Sequence, residues 1–367
     1  MVNLFWVFLK LGIVSFGGPA AHIALMEEEF VHRRQWLSRQ KFLDLVGLTQ
    51  IIPGPNSTEL AIHIGYLRAG WWGFAVAGLA FILPAFCIVT AVAGWYSVYG
   101  QVPEVHDFLI GAQTVVLAVI LFAFLRFFVS LLGLKNSKEL FSGKVWTEQR
   151  RSVLLFIVGI SVFLKLRGYS EISILFTSAL IALFIFKRLT PSRAHEGASL
   201  FLIFLKIGSL LFGSGYVLLS FLQSELIEKR TLITQGQLLD AITVGQFTPG
   251  PVFTTASFIG YIIDGFSGAT MATLGIFLPA FIFVALSIPL YKRLESSHTF
   301  RLILDGIVAG SLGLLLFTLY TLGRSTILSG STLVLLVVAL VLLGKSKIPS
   351  AVLILTGGLC TYFFAQF

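Results

Sequence analysis

The chain has 367 residues, of which 56% are hydrophobic and 12% charged, and its formal net charge is +9. Soluble domains carry about 25% charged residues, so about half the usual polar surface is missing, and a mean hydropathy of +0.93 leaves a polytopic membrane protein. Lys and Arg fall mainly in short gaps between apolar segments, where they orient membrane helices rather than bind nucleic acid.

Cys87 and Cys360 stand far apart in apolar stretches and make neither a disulfide framework nor a metal-spaced set. No HExxH, Cys/His cluster or P-loop is present, so no enzyme, metal or cofactor is expected. No basic region precedes the first apolar run, which is read as a retained helix rather than a cleavable leader.

In chain order, residues 3–19 predict an apolar helix ending at Gly17-Gly18-Pro19. A charged amphipathic stretch follows over 20–41, with Glu27-Glu28-Glu29 and Arg33-Arg34. Two short arms, 42–52 and 56–67, then flank Pro53-Gly54-Pro55, and apolar spans follow near 71–98, 107–134, 152–166 and 170–187. The basic stretch KRLTPSRAHEGA, 187–198, reads as a linker between an N-terminal repeat, 1–186, and a C-terminal repeat, 199–367. The second repeat follows the same plan at 199–215, 238–265, 268–291, 301–323, 327–344 and 348–366.

The duplication rests on shared polar and Pro/Gly positions, which apolar composition cannot mimic. FLKLGIVSFGGP at 8–19 matches FLKIGSLLFGSG at 204–215, and QIIPGP at 50–55 matches QFTPGP at 246–251, both at an offset of 196. Between residues 8 and 55 the copies agree at 14 of 48 positions. LPAF at 83–86 recurs at 278–281, after a one-residue deletion.

The arms beside each Pro-Gly-Pro are too short to cross a core that needs about 20 helical residues. Each pair therefore predicts a re-entrant hairpin, buried in protein or lining a watery cavity. Five spans per half, an odd number, would invert the second half relative to the first. Charge agrees: the loop at 99–106 holds no Lys or Arg, whereas its counterpart holds Lys292, Arg293 and Arg301. The loop at 135–151 holds five cations, and its counterpart near 324 holds Arg324. Lys165 and Arg167 sit on the contrary side of this topology of ten spans and two hairpins. The rival is a parallel repeat with each hairpin straightened into one broken span.

Inverted repeats with interrupted helices point to secondary transport, with substrate near the midplane. Two prolines around a glycine stop a helix decisively. The restart at Asn56-Ser57-Thr58-Glu59 looks like an N-cap region, and Thr254 supplies a hydroxyl beside Pro249-Gly250-Pro251. Helix N-termini offer free amides and partial positive charge, which suit a tetrahedral oxyanion; the plainer reading of Pro-Gly-Pro is a tight turn. Lys10 and Lys206 occupy matched positions in apolar helices, as counter-charges to an anion or as snorkelling side chains. Gln50 and Gln246 end the first arms, where an amide can bond substrate oxygens or freed backbone.

Asp44 and Asp240 are matched candidates for coupling or for anchoring the arms, and Glu59 is a third coupling candidate. Arg34 and Arg230, matched with Glu29 and Glu225, read as a solvated interfacial face or as a gate. His22 and His63 have no counterparts in the second half and read as packing or as proton sensors.

With these motifs in hand, the chain resembles the chromate ion transporter family in its two-repeat form. The resemblance covers nearly the whole chain and rests on FLKLGIVSFGGPAAHI at 8–23, EEEFVHRRQWLS at 27–38, QIIPGP, GYLRAG at 65–70, LPAF and QFTPGP. It implies a multi-pass protein of the prokaryotic inner membrane that exports chromate, with sulfate as a related or competing oxyanion. The family positions carried over are Gly17, Gly18, Pro19, Gln50, Pro53, Gly54 and Pro55. Ser214 and Gly215 replace Gly18-Pro19 in the second half, so the two copies need not be equivalent there. An oxyanion channel on the same scaffold, another inorganic anion as substrate, and a homodimer are left open.

Overall fold

The computed structural model describes the chain apart from residues 1, 17–18, 50–51, 101, 133–147, 185–199, 212–216, 297, 328, 346–347 and 365–367. Every element in the described residues is helical. The first half comprises α1 (Val2–Val14), α2 (Pro19–Glu27), α3 (Arg39–Thr49), α4 (Asn56–Tyr99), α5 (Pro103–Leu132), α6 (Glu148–Leu166) and α7 (Glu171–Phe184). The second comprises α8 (Leu200–Leu210), α9 (Val217–Leu222), α10 (Gln235–Phe247), α11 (Thr255–Ser296), α12 (His298–Thr326), α13 (Gly330–Lys345) and α14 (Ser350–Phe364).

Four helices among the described residues are long and apolar enough to cross a membrane: Asn56–Tyr99, Pro103–Arg126, Val252–Pro289 and Asp305–Thr326. The other apolar helices run to 10–17 residues. Exposed Trp71 and Trp72 stand at one end of the 71–99 segment and Trp95 and Tyr99 at the other. That spacing is about 35–40 Å at 1.5 Å per residue, the separation of two interfacial aromatic belts. The chain is an all-α multi-pass membrane protein.

The first helix differs from the span expected over 3–19. α1 has 13 residues, about 20 Å of helix, against a hydrocarbon core of about 30 Å. α2 runs back along it: Phe8 meets Phe30 with ring centroids 5.1 Å apart, and the His22 ring reaches the Ser15 carbonyl at 3.1 Å.

α4 and α11 are each two helices. The backbone leaves helical geometry at Ala69-Gly70 and at Asp264-Gly265, where the glycines take φ of +59° and +54°. Glycine carries this left-handed conformation without a Cβ penalty, and the chain reverses there. Gly65 comes to lie on Gly73 and Ala77, and Gly260 on Gly268 and Ala272. Residues eight apart on a straight helix are separated by about 12 Å. In both halves the second arm of the expected hairpin is therefore folded back onto the span that follows.

The halves are inverted. The segments 71–99 and 266–294 correspond at an offset of 195, and they pack antiparallel: Phe74 meets Phe281 at 5.6 Å while Phe86 meets Phe266 at 6.1 Å. A two-fold axis along the membrane normal would leave equivalent helices parallel, so the axis relating these halves lies in the membrane plane. The halves also interlock. α14 packs on α5 and α7 on α12, with the Thr361 hydroxyl donating to the Asp107 carbonyl at 2.8 Å.

Candidate functional site

Both Pro-Gly-Pro breaks are buried. Gly54 takes φ +139° and Gly250 φ +90°, values that exclude most other residues. Each break is tied to the opposite half. The Gly54 amide donates to the Leu211 carbonyl at 2.7 Å, and the Gly250 amide donates to the Ser15 carbonyl at 2.8 Å. Leu211 and Ser15 are equivalent residues at the ends of α8 and α1, so each break satisfies a carbonyl that the other half's first helix leaves unpaired.

The second repeated motif is the seat for the first. A Cβ at Gly54 would lie 3.3 Å from the Ala280 methyl, and one at Gly250 would lie 2.6 Å from that of Ala85. Ala85 and Ala280 are the alanines of the two LPAF motifs. The helices restart directly after the breaks, α4 at Asn56 and α11 at Thr255 after a 3₁₀ turn over Val252–Thr254. Two helix N-termini thus start beside crossed, mutually supported breaks.

The two restarts differ in polarity. In the first half Asn56, Ser57, Thr58 and Glu59 are all buried. His22 of α2 lies between Ser57 Oγ and the Ser15 carbonyl, 3.1 Å from each. A carbonyl only accepts, so Nε2 carries the proton and Nδ1 accepts from the Ser57 hydroxyl. Glu59 is fully buried, and among the described residues neither carboxyl oxygen has a hydrogen-bond partner. At the second break the hydroxyls turn inward on their own backbone: Thr254 donates to Pro251 and Thr255 to Val252, each at 2.8 Å. Gln246 is buried at the end of α10. Gln50, Gly17 and Gly18 lie outside the described residues.

The charged candidates sit elsewhere. Lys10 is exposed. Lys206 pairs with Glu225 at 3.1 Å, and Lys229 and Arg230 join the same carboxylate at 2.7 and 2.5 Å. Burial pushes the Glu225 carboxyl up, but the hydrogen bonds and charges of Lys229, Lys206 and Arg230 outweigh it and hold the group at about 2. Glu29 is the open version of this cluster: burial is again offset, by Arg34 at 2.5 Å and Arg33 at 3.2 Å, and the carboxyl lies below its usual range.

Asp44 and Asp240 also diverge. Asp44 accepts from Gln40 at 2.9 Å near the surface, whereas Asp240 is buried and accepts from the Tyr96 hydroxyl at 2.5 Å and the Gln113 amide at 2.6 Å. Lys165, contrary to the charge pattern in sequence, is a buried partner of Glu171 at 2.6 Å and Glu228 at 2.9 Å, so its charge is matched inside the protein. Tyr96, Gln113 and Glu228 carry no signal in a single sequence. His22 does, as a polar residue beside Gly17-Gly18-Pro19. Among the described residues no group of three His, Cys, Asp or Glu could hold a metal ion.

Comparison with known proteins agrees with this duplicated plan. A "Probable chromate transport protein" of Synechococcus elongatus is 29% identical over 97% of this chain and 94% of its own. "Chromate transport protein" sequences of Cupriavidus metallidurans and Pseudomonas aeruginosa are 28% and 30% identical over 97% of this chain, covering 90% and 91% of theirs. No solved structure matches. The profile of the family described as "Chromate transporter" matches twice, over residues 2–186 and 198–362, once for each copy of the break and its seat, and the chain belongs to that family.

Proposed function

We propose that this protein is a secondary transporter that exports chromate and sulfate-like tetrahedral oxyanions by alternating access around its two broken helices. The observation that carries this reading is the crossed pair of hydrogen bonds, Gly54 to Leu211 and Gly250 to Ser15. They join two inverted halves at the two points where helix N-termini begin in the interior. Free amides and the positive end of each helix dipole favour an anion there. Asn56 and Gln246 add side-chain amides for its oxygens, and the Ser57 and Thr254 hydroxyls join them on turning away from His22 and the Pro251 carbonyl. The names of the relatives supply chromate as the first substrate to test.

In this reading the halves rock about their shared axis. The ion clusters at Glu29–Arg34 and Glu225–Arg230 act as gates, and Lys10 and Lys206 as counter-charges on the approach. Export of a dianion from a cell negative inside is downhill by about 2.3 kcal/mol per charge per 100 mV. The test is uptake of chromate into everted membrane vesicles, with and without excess sulfate. Saturable uptake suppressed by sulfate is expected. Uptake equal to that of empty vesicles, with the protein inserted, would reject chromate and call for other anions. A channel on the same scaffold would show flux without saturation.

A further inference from the structure

We infer that Glu59 is the proton site of the transport cycle, and that an oxyanion binds at the first break only together with a proton on this side chain. The inference rests on the oxyanion reading above.

Glu59 is 0% exposed, and among the described residues neither of its carboxyl oxygens has a hydrogen-bond partner. It lies on the break itself: a Cβ built at Gly54 would run into Oε1 and stand 3.4 Å from Cδ. A buried polar group without a partner costs about 1–3 kcal/mol, and an ionised one costs more. Such a group is retained at this cost where a ligand completes it in another step of the cycle. The position is also unique to one half. Across the one-residue deletion it aligns with Thr254 or Thr255, whose hydroxyls are already used by the Pro251 and Val252 carbonyls, each at 2.8 Å. The inverted repeat thus supplies two anion-facing helix ends, and among the described residues a carboxyl stands at one of them, Glu59.

The chemistry follows from charge. Two unit charges 4 Å apart in a site of effective dielectric 20 interact by about 4 kcal/mol. A dianion beside ionised Glu59 would therefore be repelled by about 8 kcal/mol, more than one helix terminus returns. Protonated, the same carboxyl offers an O–H that donates to an oxyanion oxygen, and the repulsion vanishes. The proton comes from solvent on the side where the anion enters and leaves with it on the other, so one negative charge moves per sulfate.

Few titratable side chains surround the site. His63 lies one turn along α4, 3.4 Å from the Ser287 hydroxyl of α11. His22 of α2 reaches Ser57, two residues away, and Lys41 of α3 acts electrostatically on His63. From α11 the break meets the uncharged Ala280. Both nitrogens of His22 are already engaged and His63 is turned to Ser287; of the three, Glu59 is the group against Gly54 and the one assigned the change of charge.

The test uses purified full-length protein in nanodiscs, weakly buffered, with sulfate as the probe because it does not itself titrate near neutral pH. Calorimetry reads binding and an indicator dye reads protons. At pH values where Glu59 is ionised before binding, wild type should take up about one proton per sulfate bound, and there its apparent Kd should rise about tenfold per pH unit; at lower pH both effects vanish. Glu59→Asp should keep the proton uptake at a shifted pH, and Glu59→Gln with an unchanged melting temperature should lose it. A wild-type sulfate Kd that stays flat up to about pH 10 with no proton uptake anywhere in that range, or uptake in Glu59→Gln equal to that of wild type, would overturn the inference. Absence of both sulfate and chromate binding in wild type would instead remove the oxyanion reading beneath it.

Discussion

Gly54 donates its amide proton to the carbonyl of Leu211 at 2.7 Å, across the boundary between two inverted halves, and Gly250 repeats the bond to Ser15 at 2.8 Å. Each break therefore holds the end of the other half's first helix. A change at one break is felt at both.

Replacing either glycine should show this. Gly54→Ala places a methyl group against Glu59 and Ala280 at φ +139°, and Gly250→Ala places one against Ala85 at φ +90°. Each should cost about 1–3 kcal/mol of stability and reduce transport at least tenfold. Gly47→Ala, in open space on α3, should leave both unchanged. Thermal melts and vesicle uptake on the three variants check the contrast.

The hairpin reversals make a second prediction. The carbonyls of Gly73 and Gly268 lie against Gly65 and Gly260, closer than any Cβ tolerates. Gly65→Leu and Gly260→Leu should prevent the arms from closing and give little folded protein by size-exclusion profile. Gly159→Leu, with nothing within 4 Å, should fold.

Asp44 and Asp240 are equivalent in sequence and should differ in consequence. Asp240→Ala leaves Tyr96 and Gln113 without their acceptor, at a cost of about 2 kcal/mol. Asp44→Ala loses a near-surface bond from Gln40 and should change stability by less than about 0.5 kcal/mol. Melting temperatures of the pair decide it.

The Glu225 cluster predicts an acid limit. The folded-state carboxyl is held at about 2, below its ordinary 4.5, so its stabilisation is complete above the ordinary value and is lost as pH falls from 4.5 toward 2. Glu225→Ala leaves Lys206, Lys229 and Arg230 facing one another. It should cost about 3 kcal/mol at neutral pH, near the low end for a broken buried pair because the Lys206 side chain is 42% exposed. The variant's melting temperature should vary less between pH 5 and pH 3 than that of wild type.

Much of this architecture is legible in the chain. Pro-Gly-Pro and LPAF stand out because both recur in one register, and the short arms follow from the length a span requires. Their contact, Gly54 on Ala280 and Gly250 on Ala85, is not legible, because a repeat says which residues correspond and nothing about which half they touch. α1 reads longer than its 13 residues because the apolar run continues past its end at Val14. Lys165 reads as a topology signal until Glu228, 63 residues away, is seen to neutralise it. Lys10 and Lys206 stand out as intramembrane charges, yet the former is exposed and the latter is held by Glu225. Glu59 shows the reverse, since its N-cap-like position in sequence hides a carboxyl with no hydrogen-bond partner among the described residues.

The central claim is that oxyanions cross by alternating access at these two breaks, and counterflow tests it most directly. Proteoliposomes loaded with unlabelled sulfate should take up labelled sulfate faster than empty ones, with saturation, and replacing Pro53-Gly54-Pro55 by three alanines should abolish the exchange. Flux that rises linearly with sulfate and is indifferent to internal sulfate, or undiminished exchange in the three-alanine variant, would contradict the account.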